Sequence, residues 1–457
     1  MTLAMPASLP RRLRFQISLL VAVLIIVVLW RTAPNHLDAE QDSLCRRVIP
    51  ALVDASRGVI ITGSEAGDAG TVFVFFSVGN DLRGQYIGCH FAGSGLSFKK
   101  RVLDRIVHNG TSLGPSATYY LTERWLASQD SVMAEPRAAA PRTLLPDLAV
   151  GTATVLQHAI SALPRMGIMA LVAAAYALVY GLIGRINLAF GAFAALGGTG
   201  AALAVLMMEA LGLPSLPHGP VAAVLGAVML AALYGAVVAR VVVTPMAGRS
   251  GQHVLVASAG LMIALEEFLR LAQGARTLWL PPVFNAPLVL AHSAGFDVTV
   301  TPMMLATALA AAVAGLTLLA FLKRSRFGRM WRATSDDPLA AELFGISYSA
   351  MLGLSFALAA ALAGFAGALI ALHYGGIGFA GGTTLGLTAL MAAILGGIGS
   401  VPGAMLGGCL IGAAEAAWSA ALPGDWREVA IFAALALVLV LKPDGLFRGR
   451  LPGPMRV

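Results

Sequence analysis

The sequence predicts a mainly α-helical, polytopic membrane bundle of about nine spans, one of them Gly-broken or re-entrant, with a small exported α+β domain near the N-terminus. Three observations carry that expectation. Of 457 residues, 58% are hydrophobic and 12% charged, about half the charge of an ordinary globular chain. The mean hydropathy is +0.80. The apolar residues fall in runs of about 20 separated by short basic loops, the length that a bilayer's hydrocarbon core demands. The 51 glycines fit the same class, because small residues let helices approach closely where lipid removes the hydrophobic drive between them. A net charge of +8 (31 basic against 23 acidic) is spread over the loops beside the spans, which argues against a nucleic-acid partner. Cys45, Cys89 and Cys409 are too few for a disulfide scaffold and lack metal-site spacing, so neither a metal nor a cofactor is expected.

Arg11, Arg12 and Arg14 precede an apolar run from Ile17 to Trp30, which Arg31 closes. The run is short for a span, but Phe15, Gln16 and snorkelling arginines extend it. A basic stretch followed by a short apolar core also describes a cleaved signal peptide. No small-x-small site follows Trp30, which favours an uncleaved anchor over residues 1–30. On either reading the following segment is exported.

Residues 31–142 are much richer in acidic side chains than the rest, among them Asp38, Asp42, Glu65 and Asp104, and read as a soluble domain. Leu44, Val48, Ile49 and Leu52 recur at helical spacing. Val59–Thr62, Thr71–Val78 and Gly84–Phe91 read as strands between turn residues, and Tyr119–Leu126 as a closing helix. In an oxidising compartment Cys45 and Cys89 can bridge the first helix to a strand; otherwise they are two small buried thiols. Asn109-Gly110-Thr111 matches a glycosylation sequon but reads as a turn. Met133–Pro146 is a linker.

Residues 143–457 are the membrane domain. Apolar segments run at about 163–183, 189–212, 219–243, 252–273, 301–322, 347–373, 384–421 and 427–441. If they alternate, Arg185, Arg240, Arg249, the cluster Lys323, Arg324, Arg326, Arg329 and Arg332, and the C-terminal Lys442, Arg448, Arg450 and Arg456 share one side. The positive-inside bias makes that side cytoplasmic, with both termini, and places 31–142 outside. Pro146–Leu163, interrupted by polar residues, reads as a surface or broken helix. The stretch 384–421 breaks at Gly396-Gly397-Ile398-Gly399, giving either two short helices or a re-entrant hairpin. Such a break is a translocation-pathway candidate or a tight glycine crossing of helices. Asn187 offers an amide in apolar surroundings or caps the next helix. Glu266 and Arg270, one turn apart, are expected to pair within their helix.

No catalytic constellation is present in the sequence, and there is no Walker A motif, so ATP chemistry is not expected of this chain; Gly397-x-Gly399 lacks the strand–helix context of a dinucleotide site. Four segments carry a resemblance. Gly167 to Gly191, containing Asn187, resembles the first membrane segment of the branched-chain amino acid ABC transporter permeases. Arg326 to Ile346, with Pro338 and Gly345, resembles their cytoplasmic coupling loop. Ala393 to Gly408 and Lys442 to Gly449 are similar to their closing segments. The resemblance covers about residues 155–450 and leaves the exported domain outside. One departure is Phe190, where many members carry His.

The resemblance implies a bacterial inner-membrane permease subunit that pairs with a second permease subunit, cytoplasmic ATPase subunits and a periplasmic substrate-binding protein, within membrane lipid. It implies a coupling loop through Gly328, Arg332, Asp337, Ala341 and Gly345. There a short helix around Pro338–Phe344, N-capped by Asp336 or Asp337 and stopped by Gly345, would form a knob for an ATPase groove. The pathway candidates are Asn187, Gly396, Gly397 and Gly399. Branched-chain or related amino acids are the implied substrates, with urea or short amides the near alternative. A membrane-anchored ligand sensor is a reading of another class, and the lack of a domain after Arg448 weighs against it. An ion-coupled carrier would need charged groups deep in its spans, which are nearly empty of charge.

Overall fold

The computed structural model describes residues 37–447 apart from 54–57, 68–69, 79–84, 94–96, 98, 137–146, 213–217, 275–277, 294–295, 377, 379, 422–425 and 443–444. The N-terminal anchor and most of the 133–146 linker therefore lie outside the described residues. Two compact units result, residues 1–92 with 102–139 and residues 93–101 with 140–457.

The first unit has an amphipathic helix α1 (Ala39–Leu52) and a five-stranded antiparallel meander, β1 (Val59–Ala66), β2 (Thr71–Val78), β3 (Gln85–Phe91), β4 (Leu103–His108) and β5 (Thr111–Ser112). The Asp38 carboxylate starts α1 by accepting from the Glu40 amide at 3.0 Å, satisfying one of the N–H groups a helix leaves unpaired. Alternation along β2 turns Val72, Val74 and Phe76 inward with Ile61, Ile87 and Ile106. Cys45, Val48 and Ile49 of α1 close that core, and Cys45 is disulfide-bonded to Cys89. Asn109 and Gly110, both with positive φ, form the two-residue β4–β5 turn, as hairpin twist requires. The closing segment begins earlier than expected, at α2 (Pro115–Tyr120), continues through a π turn and is followed by α3 (Gln129–Met133). Arg47 fixes it, donating to the Leu126 carbonyl at 3.0 Å and to Ser131 Oγ at 2.7 Å.

The second unit is helical. Its helices are α4 (Val150–Ile183), α5 (Phe190–Ala210), α6 (Gly219–Val238, extended through a π turn to Met246), α7 (Gly251–Gln273), α8 (Pro302–Arg324), α9 (Arg326–Asp336), α10 (Pro338–Leu343), α11 (Tyr348–Tyr374), α12 (Gly381–Gly396), α13 (Val401–Ala421) and α14 (Arg427–Leu441). Six of these, α4, α5, α6, α8, α11 and α13, are long and apolar enough to cross a membrane among the described residues, and α12 and α14 are shorter apolar helices. The chain is a multi-pass membrane protein. α7, carrying Glu266, Glu267 and Arg270, is not among the six. The surface or broken helix expected over 146–163 is instead the first part of α4, which runs unbroken for 34 residues with Pro164 inside it. A three-stranded sheet of β6 (Asp147–Leu148), β7 (Leu288–Ser293) and β8 (Phe296–Val300) lies on those first turns. The Gln157 amide oxygen accepts from the Thr299 N–H at 2.8 Å, and Ala153 packs with Ala291 and Val298.

α4 is the centre of the bundle, buried almost continuously from Ile168 to Ile183. The helices around it come close to one another because they present small residues. A Cβ on Gly364 of α11 would sit 2.4 Å from the Ala231 Cβ of α6, and one on Gly197 of α5 would sit 2.3 Å from the Gly364 Cα. The outward faces are the reverse: Leu225, Met229, Leu233 and Val237, one turn apart along α6, are all more than half exposed. That unbroken apolar stripe is a lipid-facing surface.

Candidate functional site: an anchored knob and a closed glycine turn

Ser325 N-caps α9, its Oγ accepting from the Gly328 amide at 3.0 Å. Gly328 is buried where a Cβ would meet the Leu322 carbonyl oxygen at 1.8 Å, so only glycine lets α9 fold back on the end of α8. Arg332 donates to that same carbonyl, satisfying one of the acceptors left open at a helix C-terminus. Trp331 Nε1 donates to the Leu178 carbonyl at 3.0 Å and Ser335 Oγ to the Gly181 carbonyl. Gly181 leaves the space the indole fills: its Cβ would lie 2.5 Å from the Trp331 ring. Two hydrogen bonds and one aromatic plug thus lock α9 to the end of α4.

α10 projects from this base. Asp337, not Asp336, is its N-cap, accepting from the Ala340 amide at 3.0 Å. Ala341 is buried on the inner side, where its carbonyl accepts from the Ile346 amide at 3.0 Å. Gly345 follows the helix with φ +81, a left-handed stop that a side chain adopts at a cost. The outward side carries Leu339, Leu343 and Phe344, 70, 90 and 87% exposed. Leu339 and Leu343 of this helix and Phe344, its C-cap, thus form a cluster of large exposed apolar side chains, the kind of patch that marks contact surfaces. Trp331, Ser335, Leu343 and Phe344 were not singled out in the sequence. The spacing of Phe327, Trp331 and Thr334, at i, i+4 and i+7, is the signal that marks α9 as an amphipathic helix.

The pathway candidates are placed apart from this knob and from each other. Asn187 is 5% exposed and its Oδ1 accepts from the Ala189 amide at 3.0 Å, so the side chain shapes the turn into α5. It lines a cavity of about 10 Å³ with Ile183, Val254 and Ser258, room for about one water. Gly396 and Gly397 end α12. Gly397 has φ +96, and a Cβ on Gly396 would lie 2.1 Å from the Gly403 carbonyl oxygen of α13. Gly399 is half-buried in the turn that joins the two helices. The stretch 384–421 is therefore a helical hairpin whose close approach needs glycine. The C-terminal turn closes over it: Leu446 N–H donates to the Leu395 carbonyl at 2.8 Å, and a Cβ on Gly445 would be 2.8 Å from the Gly397 nitrogen.

Phe190 is fully buried, its ring centroid 5.2 Å from both Tyr176 and Phe356, so the position belongs to an aromatic core. The expected Glu266–Arg270 pair does not form. Arg270 bonds Glu267 instead, three residues away, and Glu266 accepts from Thr383 Oγ1 at 2.7 Å. Both spacings put a carboxylate beside the guanidinium, and the Thr383 hydroxyl decides between them. Among the described residues no group of three or more metal-ligating side chains occurs.

Residues 159–441 match the family model for the branched-chain amino acid transport system / permease component. The chain belongs to this permease family. It is 35% identical over 277 residues to the high-affinity branched-chain amino acid transport system permease protein LivH of Escherichia coli K12, a match covering 61% of this chain and 90% of that one. Against the Salmonella typhimurium LivH the identity is 34% over the same shares. Against the corresponding permease protein BraD of Pseudomonas aeruginosa it is 33% over 291 residues, 64% of this chain and 95% of that one. The matched region begins inside α4, so the first unit lies outside the family model. Membership makes the chain a membrane component of a transport system rather than its catalytic subunit.

Proposed function

We propose that this chain is the transmembrane permease subunit of an ABC importer that moves branched-chain or related amino acids into the cytoplasm. It works with a second permease subunit, cytoplasmic ATPase subunits and a periplasmic substrate-binding protein, and hydrolyses no ATP itself. The observation that carries the reading is the α10 knob: Leu339, Leu343 and Phe344 stand exposed on a base whose Trp331 and Ser335 are bonded to α4. A partner that grips the knob pushes on the central helix of the bundle with little slack. The basic residues of 323–332 assign that end to the cytoplasm and the first unit to the opposite side, where the Cys45–Cys89 bond persists.

The route is assigned to the interior bounded by Asn187 and the 396–399 turn. A solute shedding water there needs amide and carbonyl partners, since an unmet polar group in a dry medium costs several kcal/mol. In the described state both are packed shut, so transport requires the α12–α13 hairpin to part from the Gly445 turn. ATP-driven uptake of labelled L-leucine into proteoliposomes bearing the assembled complex is the expected result, with isoleucine and valine as competitors. Competition by urea or acetamide instead would move the chain to the second reading, and uptake without ATP would overturn the assignment. An impermeant maleimide should label a cysteine placed at Ser112 in intact cells, and one at Leu343 only after permeabilisation; the reverse pattern would refute the orientation.

A further inference from the structure

We infer that a cavity at the end of α4 opposite the knob binds the carboxylate of a small solute. Down the α4–α13 contact the backbones touch. A Cβ on Gly408 would lie 2.5 Å from the Ala170 Cα, and one on Gly412 2.7 Å from the Met166 Cα. One turn further along α13 glycine gives way to Glu415, which pairs with Arg165 of α4. Beyond the pair opens a cavity of about 210 Å³ lined by His158, Ser161, Arg165, Glu415, Ser419 and Arg427. Where about 10–15 Å³ of such space holds one water, it has room for a solute of amino-acid size.

The charges do not balance. Glu415, 3% exposed, is matched by Arg165, which leaves Arg427 as a second guanidinium on the wall. Its Nε is buried and has no hydrogen-bond partner among the described residues, a state that native structures avoid unless something absent supplies the acceptor. The cavity's arginines and glutamate set two guanidinium charges against one carboxylate, so one further carboxylate balances them. A planar guanidinium is suited to two parallel bonds to that group. A solute ammonium, if present, faces Glu415, whose charge Arg165 already meets, and so contributes less. The cavity lies 16 residues from Gly181, where Ser335 anchors α9, or about 24 Å along the helix. Choosing an amino acid and its 2-oxo acid as probes rests on the transport reading above; the charge argument does not.

The test uses the permease–ATPase complex without the periplasmic protein, in phosphatidylcholine nanodiscs, with binding read by saturation-transfer NMR. L-Leucine and 4-methyl-2-oxopentanoate should bind, and L-leucinamide, which lacks the carboxylate, should not. Arg427→Gln should weaken binding at least tenfold, with Arg427→Lys recovering part of it. Ser419→Leu, at an exposed position on the cavity wall, should block binding without touching a charge. The assignment is overturned if no carboxylate binds, if leucinamide binds as well as the oxo acid, or if both Arg427→Gln and Ser419→Leu leave binding unchanged. It also falls if exchanging the lipid for phosphatidylglycerol abolishes solute binding, because the cavity then takes a lipid phosphate. ATP-driven leucine uptake, measured in parallel, separates the two claims: oxo-acid binding without uptake of any amino acid contradicts the transport reading alone, whereas uptake with no binding contradicts the cavity alone.

Discussion

The two units bury their cores by opposite means. In the first, large side chains fill the space between α1 and the meander: Phe76, Ile49, Ile61, Ile87 and Ile106 are at most 2% exposed, and a disulfide ties helix to sheet. In the second, the tightest contacts are backbone on backbone, through Gly197, Gly364, Gly408 and Gly412, while Leu225, Met229 and Leu233 face outward. Water drives apolar side chains together in the one; lipid offers no such drive in the other, and close approach of main chains takes its place. Close helix-to-helix contacts in the second unit therefore need a small residue, beside a core that also holds Phe190, Phe193 and Phe356, whereas the first unit's core is filled by large ones, and substitutions at the two kinds of contact should reverse in sign.

The largest effect is expected from overfilling the membrane core. Gly364→Leu or Gly412→Leu should remove the folded chain from the membrane fraction, because the added side chain meets backbone that cannot move aside; overpacking costs roughly 1–3 kcal/mol even where neighbours can adjust. Accumulation at the normal level with unchanged thermal stability would break the comparison. In the first unit removal should hurt instead. Cys45→Ala with Cys89→Ala opens a loop of 44 residues and should cost about 4 kcal/mol by chain entropy, read as protease cleavage within 39–133 of the full chain. A double variant as resistant as the parent would show that side-chain packing alone suffices there.

Smaller effects sharpen the contrast. Met229→Ala on the lipid-facing stripe should leave stability within about 0.5 kcal/mol, since the side chain exchanges one apolar neighbour for another. A loss above 2 kcal/mol would mean that a protein partner covers α6. The smallest effect concerns Asp42, 5% exposed and paired with Arg46. Burial pushes its carboxyl above the usual carboxylate range, against the pull of the Ser64 hydrogen bond and Arg46. A raised folded value favours the protonated form. Its contribution is complete below the ordinary carboxylate pKa and declines as pH rises through the raised value. Asp42→Asn should flatten that part of the stability–pH profile for the first unit; an unchanged slope would contradict the assignment.

What the sequence disclosed follows from which signals are local. Span runs and the Asp337–Gly345 helix are written in neighbouring residues: six of the expected spans are long and apolar enough to cross a membrane among the described residues, whereas 252–273 forms a helix that is not among them. The β4–β5 and β7–β8 hairpins carry little local signal, because the strands within Leu103–Ser112 and Leu288–Val300 are short and the latter lie in a connection between apolar helices. Helix α4 continues through Pro164 because its first turns are held by β8, a partner more than 130 residues away along the chain. Arg165 and Glu415 are 250 residues apart, and nothing local marks either as the other's partner. The glycine turn at 396–399 was visible as a break, but what fills it, Gly403 and Gly445, depends on tertiary packing.

On the transport reading proposed above, α10 passes the work of an ATPase to α4. The most direct measurement is ATP hydrolysis and leucine uptake side by side in the reconstituted complex carrying Gly345→Val, a β-branched residue at φ +81 where such a side chain is strained, with Leu343→Asp as the surface control. The account predicts that both variants fold and reach the membrane, that uptake falls at least tenfold, and that hydrolysis no longer responds to the substrate-loaded binding protein. Normal uptake with normally stimulated hydrolysis in both variants would contradict it.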